Sequence, residues 1–396
     1  MTNRFLLFLF LVPCFQSCQW FQASQSDEVF DEERWVIPDV EDREFPAENF
    51  QNIELIPLET TDASILNDIK HLEVIGDHLI IQNESHSELG FPTERLLVFD
   101  RQGHFVCQLG ERGKGPQEYL KIDDFWIDPA NQTVWVYDQQ KLLQYNLQGE
   151  LLHSVEIKAF LGNEFVRIGN KWVFYADNHC NNLDCHNLAY VDKDGVLLST
   201  TLFIPSNMRH IHGVGRNRFV SVHPDTARLI GYDDQIYTLT EAGIVHQIRL
   251  DHPTEPMVDD AFYTQDFERN MDYVNKGFEA KGVGFINDFK ENDHFRYFTV
   301  RKDRKSYTLL CDKSSSTTQL FRTINSTILN VPNAINQSTF YRTVTVQQVQ
   351  EWLQIDPANL SSFDRELLSD FSESITKLSA LDNPVVIAFS LESLKK

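Results

Sequence analysis

Apolar and polar residues alternate with period two over short runs along most of this chain, and each run ends in a polar turn. That is the pattern of half-buried strands joined as hairpins, because successive strand side chains point to opposite faces. The pattern also repeats. Residues 96–109, LLVFDRQGHFVCQL, return as LLQYNLQGELLHSV at 142–155 and as NLAYVDKDGVLLST at 187–200. The turn glycines fall at 103, 149 and 195, a step of 46 each time. A fourth copy, IYTLTEAGIVHQI at 236–248, places Gly243 after a step of 48. A fifth, YTLLCDKSSSTTQLF at 307–321, has lost the glycine. A period in the forties with about four strands per repeat predicts the blades of a β-propeller.

Counting strands along the chain gives the number of blades. The first blade takes 72–82, with its turn at Gly76-Asp77, and 96–109. The second takes 125–128, 134–138, 142–146 and 151–157; the third takes 165–168, 172–176, 188–192 and 196–203. The fourth is expected at 211–214, 218–222, 235–239 and 245–250, and the fifth at 284–287, 295–301, 307–311 and 319–321. Between them, residues 251–281 are long and polar, with room for a short helix. Residues 343–381 carry apolar positions at three- and four-residue spacing, which predicts a helical insertion. Two strand-like runs are left over, IELIPL at 53–58 and PVVIAFS at 384–390. An unpaired apolar strand is an aggregating edge, so the two runs are expected to pair and complete a sixth blade. The fold predicted is all-β: a six-bladed propeller over residues 49–396, its last blade closed by N- and C-terminal strands.

Composition narrows the partners. The formal net charge of −23 disfavours nucleic acid and anionic lipid, both of which call for clustered Lys and Arg. At the N-terminus, Arg4 precedes the apolar run 5–12, which is too short to span a bilayer, and Phe15-Gln16-Ser17-Cys18 follows. A small residue directly before a cysteine looks like a bacterial lipobox. That likeness implies a signal peptide at 1–17, lipidation of Cys18, and a membrane contact made through this anchor alone. Cys14, preceded by Pro13, is the weaker candidate, and a plain secretory signal is the alternative. Residues 18–48, polar and acidic without a period, read as a tether. The protein is expected to be exported to the cell envelope, lipid-anchored to the outer membrane, and monomeric.

The chain resembles the six-bladed propeller lipoproteins of Bacteroides-type bacteria, relatives of NHL-repeat propellers. The early lipobox cysteine, the IPLETT start, the phrase LGERGKGPQEYLKIDDFWID and the final DNPVVIAF carry the resemblance over nearly the whole mature chain. Gln117 stands where such proteins usually have a second glycine. The resemblance implies the fold and no particular activity.

Candidate site residues are few. Glycines at 110, 113 and 115 let the chain turn between blades, and the same loop would bring Arg112, Lys114 and Glu118 to a channel mouth as ligand-binding residues. Asp123 and Asp124 are either turn residues or oxygen ligands for Ca²⁺. His179-Cys180 and Cys185-His186 bracket a polar loop that reads as a disulfide, a metal site or free thiols. Cys107 and Cys311 sit in apolar strand patterns as buried thiols. On a strand at 209–214, His210 and His212 would share one side, with His223 nearby. There is no G-x-S-x-G elbow, H-E-x-x-H or Walker loop, and no cofactor can be named. Two functions remain open: a binding or scaffold propeller for a protein, peptide or glycan, and a propeller lyase or hydrolase with its site at the channel mouth.

Overall fold

A computed structural model describes residues 30–394, except 87–91, 158–160, 181–183 and 214–217. Cys18 and the signal segment lie outside the described residues. Six four-stranded antiparallel blades surround a central channel, and strands are numbered here from the channel outwards. Blade 1 is Asp68–Ile75, His78–His86, Pro92–Asp100 and Phe105–Gln108. Blade 2 is Asp124–Asp128, Thr133–Tyr137, Lys141–Asn146 and Leu151–Glu156. Blade 3 is Glu164–Ile168, Lys171–Tyr175, His186–Val191 and Leu197–Phe203. Blade 5 is Gly284–Glu291, Phe295–Lys302, Lys305–Asp312 and Thr317–Phe321. These match the strands read from the alternation.

The repeated turn glycine has two physical reasons. Gly103 and Gly195 adopt φ of 88° and 82°, the left-handed region that side chains resist. A Cβ on either would also lie 2.1 Å from the Pro57 carbonyl oxygen or 2.2 Å from that of Glu156, at the end of the preceding blade's outer strand. In blade 5 the turn survives without glycine. Ser316 takes φ 53°, and Asp312 Oδ1 accepts from the Ser314 amide at 2.9 Å.

Blade 6 closes the ring as expected. Ala334–Asn336 and Thr339–Val344 are its inner hairpin, Val385–Ser390 its third strand and Gln51–Pro57 its outer strand. Val385 pairs with Pro57 and Ile387 with Leu55. All six residues of Val385–Ser390 are buried, and the two faces of the strand pack differently. Val385, Ile387 and Phe389 join Phe340 and Phe50 on the blade 5 side. Val386 and Ala388 join Leu79, Ile81 and Phe99 of blade 1. The helical insertion sits between the second and third strands, as α3 (Val346–Trp352) and α4 (Ser362–Thr376), after α1 (Asp260–Tyr263) and α2 (Asn270–Glu279) in the blade 4–5 connection. It starts with a capping box at Thr345 and Gln348 rather than at 343, because 339–344 is a strand.

Two expectations are corrected. The stretch read as a tether belongs to the fold from residue 31. Asp31–Val36 adds a parallel fifth strand to blade 4, against Gly243–Asp251, and Glu44–Phe45 pairs in parallel with Thr323–Ile324. The sequence DEERWV hides this strand because it lies almost wholly exposed on the rim and is held by its ladder and by Arg296 3.3 Å from the Trp35 ring centre. In blade 4 the innermost strand is Phe219–His223, followed by Thr226–Ile230, Gln235–Thr240 and Gly243–Asp251. Ile211 is apolar for another reason: it packs with Met208, Tyr232 and Tyr273 in a separate cluster.

The closing strand generates a prediction. Deleting residues 382–396 should leave the chain unfolded or aggregated, whereas deleting 19–29 should leave its melting unchanged. Ile387→Ala should cost about 2–5 kcal/mol in urea unfolding. A soluble C-terminal deletion with unaltered melting would show that the seam is dispensable.

Candidate functional site

The innermost strands of all six blades enclose a channel of about 1510 Å³. One end is lined by the turns between first and second strands, such as Asn131-Gln132, Gly169-Asn170 and Asn336-Gln337. Towards the other end stand the carboxyls of Asp124 and Glu164, which begin the inner strands of blades 2 and 3, and of Glu94 on the third strand of blade 1.

These carboxyls share one role. Each accepts a hydrogen bond from a backbone N–H at the start of the next blade, an amide left without a partner by the strand ladder. Glu94 Oε2 accepts from Ile122 at 2.9 Å, Asp124 Oδ2 from Phe165 at 2.9 Å and Glu164 Oε2 from Phe219 at 3.0 Å. Asp234 repeats the arrangement at the blade 4–5 junction with Phe285 and Ile286. Four successive junctions are thus clasped by an acidic side chain, which satisfies a donor that would be costly to leave unpaired.

Removal from water raises all four groups above the ordinary carboxylate range. Glu164 rises to about 7, through burial first and then the charge of Asp177, against the opposing pull of the Phe219 amide and Arg218. Asp124 is pushed well up by burial and by Glu164. Elsewhere on the wall, burial alone would raise Glu73, but a 2.9 Å hydrogen bond with His71 and the charge of Lys290 bring it below its usual value. Burial lowers Lys290 in turn, against the attraction of Glu73 and Asp288.

The residues singled out by sequence lie mostly away from this channel. Arg112 and Lys114 are exposed on the inter-blade loop, and neither lines the wall. Glu118 bends back on its own loop, where Oε2 accepts from the Gly115 amide at 2.7 Å and fills the space a Gly113 Cβ would need. Gln117 lies outside the left-handed region, so its replacement of a glycine costs this loop nothing. Asp123 and Asp124 diverge. Asp123 meets Lys121 and Gln139, while Asp124 clasps blade 3, so the two form no shared oxygen cage.

His210 and His212 are not on an inner strand as expected, since residues 209–213 form a loop. His210 is exposed, and the His212 ring lies 4.4 Å from that of His179. His223 does line the channel. Cys180 and Cys185 face each other with Cα atoms 4.2 Å apart. Cys107 and Cys311 are free and half-buried rather than fully buried, and burial raises the Cys107 thiol to about 11. Sequence reasoning singled out Asp124 for a different role and missed Glu94, Glu164 and Asp234. The one available signal was an acid at or beside the start of an inner strand in blades 2 and 3.

The family described as a domain of unknown function (DUF4934) matches residues 41–390. Among solved structures, a candidate exported protein of Bacteroides fragilis is 14% identical with a TM-score of 0.70, over 91% of this chain and 100% of that one. A member of the DUF4221 family from Bacteroides vulgatus is 9% identical with a TM-score of 0.47, over 87% of this chain and 98% of that one, a likeness in outline only. No curated protein matches the chain.

The raised carboxyls give a pH prediction. Between the ordinary glutamate value and about 7, folded Glu164 keeps a proton that the unfolded chain has lost. Its contribution is therefore present at low pH and lost as pH rises through that window. Glu164→Gln keeps the acceptor oxygen without the charge. Its melting temperature should gain on the parent's between pH 5 and 8, by thermal unfolding at both values. Parallel curves would place the Glu164 proton elsewhere.

Proposed function

The chain belongs to the DUF4934 family, and on that premise we propose that it is an exported, non-catalytic binding or scaffold propeller whose protein, peptide or glycan ligand occupies the central channel. The supporting observation is the channel itself. It is wide and polar, and the carboxyls that would suit acid–base chemistry are engaged with backbone amides instead. That engagement favours binding over a lyase or hydrolase, for which a raised carboxyl would have to face substrate. Nucleic acid is not a partner in this reading, because the described wall residues form no run of Lys and Arg.

The same proposal takes Cys18 as the lipidation site, the outer membrane as the location and the monomer as the working form. Kinship with NHL-repeat propellers and a disulfide formed in an oxidising compartment at Cys180 and Cys185 complete it.

Three measurements bear on it. Ser221→Trp places an indole in the channel, and Ser221 lies on an inner strand lining the wall. Fractions of envelope extract that raise the parent's melting temperature should leave this variant unmoved; a ligand indifferent to the change would place binding outside the channel. Cys18→Ser should move the protein from the membrane to the soluble fraction or leave it unprocessed. Its retention at the membrane would remove the anchor from the reading. Alkylation without reduction should leave Cys180 and Cys185 unlabelled, and labelling of both would leave them as thiols.

A further inference from the structure

The chemistry of the channel wall narrows the ligand class, on the reading that the channel is the binding site. Among the described residues, ten Asp and Glu side chains line it, yet almost all are already engaged. Glu84 meets Lys70 at 3.0 Å, Asp128 meets Arg167 at 3.9 Å and Asp77 meets Arg101 at 4.0 Å. Glu291 is held by Arg228, Arg296 and Lys313, at 3.3, 3.0 and 3.2 Å. Asp123 meets Lys121, and Glu73 meets His71. Glu94, Asp124 and Glu164 face the backbone amides described above. Among the described wall residues, the Asp225 carboxylate has no ion pair, while the Lys290 ammonium is already attracted by Glu73 and Asp288. A charged ligand would find few counter-charges that are not already engaged.

The other groups left open are neutral. Among the described residues, the side chains of Asn170, Ser221, Asn336 and Gln337 make no hydrogen bond, and all four line the channel. Asn170 and Gln337 come from first-to-second-strand turns, Asn336 ends the inner strand of blade 6 and Ser221 lies on that of blade 4. Three of the four, Asn170, Asn336 and Gln337, are primary amides at the turn end of the channel, drawn from the opposite blades 3 and 6. A primary amide offers donors and an acceptor in one plane, and a hydroxyl offers both on one atom. That set matches a partner made of hydroxyls, each of which also donates and accepts. Further along the wall, Trp126 is half-buried on the inner strand of blade 2, an aromatic surface on which a sugar ring can lie. The volume exceeds the roughly 300–1,000 Å³ usual for a small-molecule pocket, so it suits an oligomer better than a monomer.

We propose that the channel binds a neutral, hydroxyl-rich chain, an oligosaccharide, which enters at the turn end and is held by Asn170, Ser221, Asn336 and Gln337. Recognition is by neutral hydrogen bonds, so affinity should be nearly independent of ionic strength, unlike a charge-driven complex.

The test uses the folded protein and short neutral gluco-, manno-, xylo- and galacto-oligosaccharides, with polygalacturonate and a mixed peptide pool as comparison probes, read by calorimetry and tryptophan fluorescence. At least one neutral oligosaccharide should bind saturably, with the same affinity at low and high salt. The double variant Asn336→Ala, Gln337→Ala should weaken it roughly tenfold, the equivalent of one or two net hydrogen bonds, at unchanged melting temperature. Ser221→Trp should abolish it. If peptide or polygalacturonate binds, is blocked by Ser221→Trp, and no neutral oligosaccharide does, the ligand class is overturned while the channel reading stands. If an oligosaccharide binds but Ser221→Trp has no effect, both fall. If no neutral oligosaccharide binds at all, the inference is overturned.

Discussion

The ring is held shut by one strand, Val385–Ser390, laid between the chain's second-strand segment Thr339–Val344 and its distant start, Gln51–Pro57. Each blade of a propeller buries its faces only against its neighbours, so an open seam would expose two faces at once. Here the closing strand supplies side chains to both: Val385, Ile387 and Phe389 on one side, Val386 and Ala388 on the other. Asn383 rivets the seam just before the strand begins. Its Nδ2 donates to the Glu59 and Ser64 carbonyls, at 2.8 and 2.9 Å, and its Oδ1 accepts from Leu66 at 2.7 Å. A contact spanning more than 300 residues therefore links the last blade to the connection leading into the first.

The other junctions use a related device with a different residue. Ladder geometry leaves the amides at the start of each inner strand without a sheet partner, and a carboxyl from the preceding blade reaches them at four successive boundaries. Three acids of the channel wall, Glu94, Asp124 and Glu164, thus serve to hold blades together. The chemical consequence is a wall of satisfied charges with neutral amides left over, which is why the ligand reading turns on Asn and Gln rather than on Asp and Glu.

The outer rim is managed by the N-terminal segment. From Asp31 the chain runs along blade 4, reaches blade 5, where Lys305 and Tyr307 meet Asp42, and then becomes the outer strand of blade 6. Phe45 packs on Phe321 and Phe50 on the way, with ring centres 4.9 and 5.2 Å apart. An added parallel strand covers the long outer edge Gly243–Asp251, which would otherwise present unpaired backbone groups.

The sequence by itself determined the blades, because a hairpin is local: two alternating runs and a turn that only glycine fills comfortably, as at Gly103 and Gly195, are written within about fourteen residues. It also determined the seam, since two apolar strand runs without local partners had one way to be covered. The inner strand of blade 4 escaped it because Ile211 is as apolar as a strand residue, and only the packed structure shows it in a different cluster. Asp31–Val36 escaped because a rim strand held by its ladder leaves no hydrophobic signature. The site was the least legible part. Histidines, lysines and cysteines draw attention by chemical type, yet Arg112, Lys114, His210 and His212 lie off the channel wall. Which side chains face the channel is decided by how six blades close around an axis, and that arrangement joins residues from Lys70 to Tyr341 that no local pattern connects.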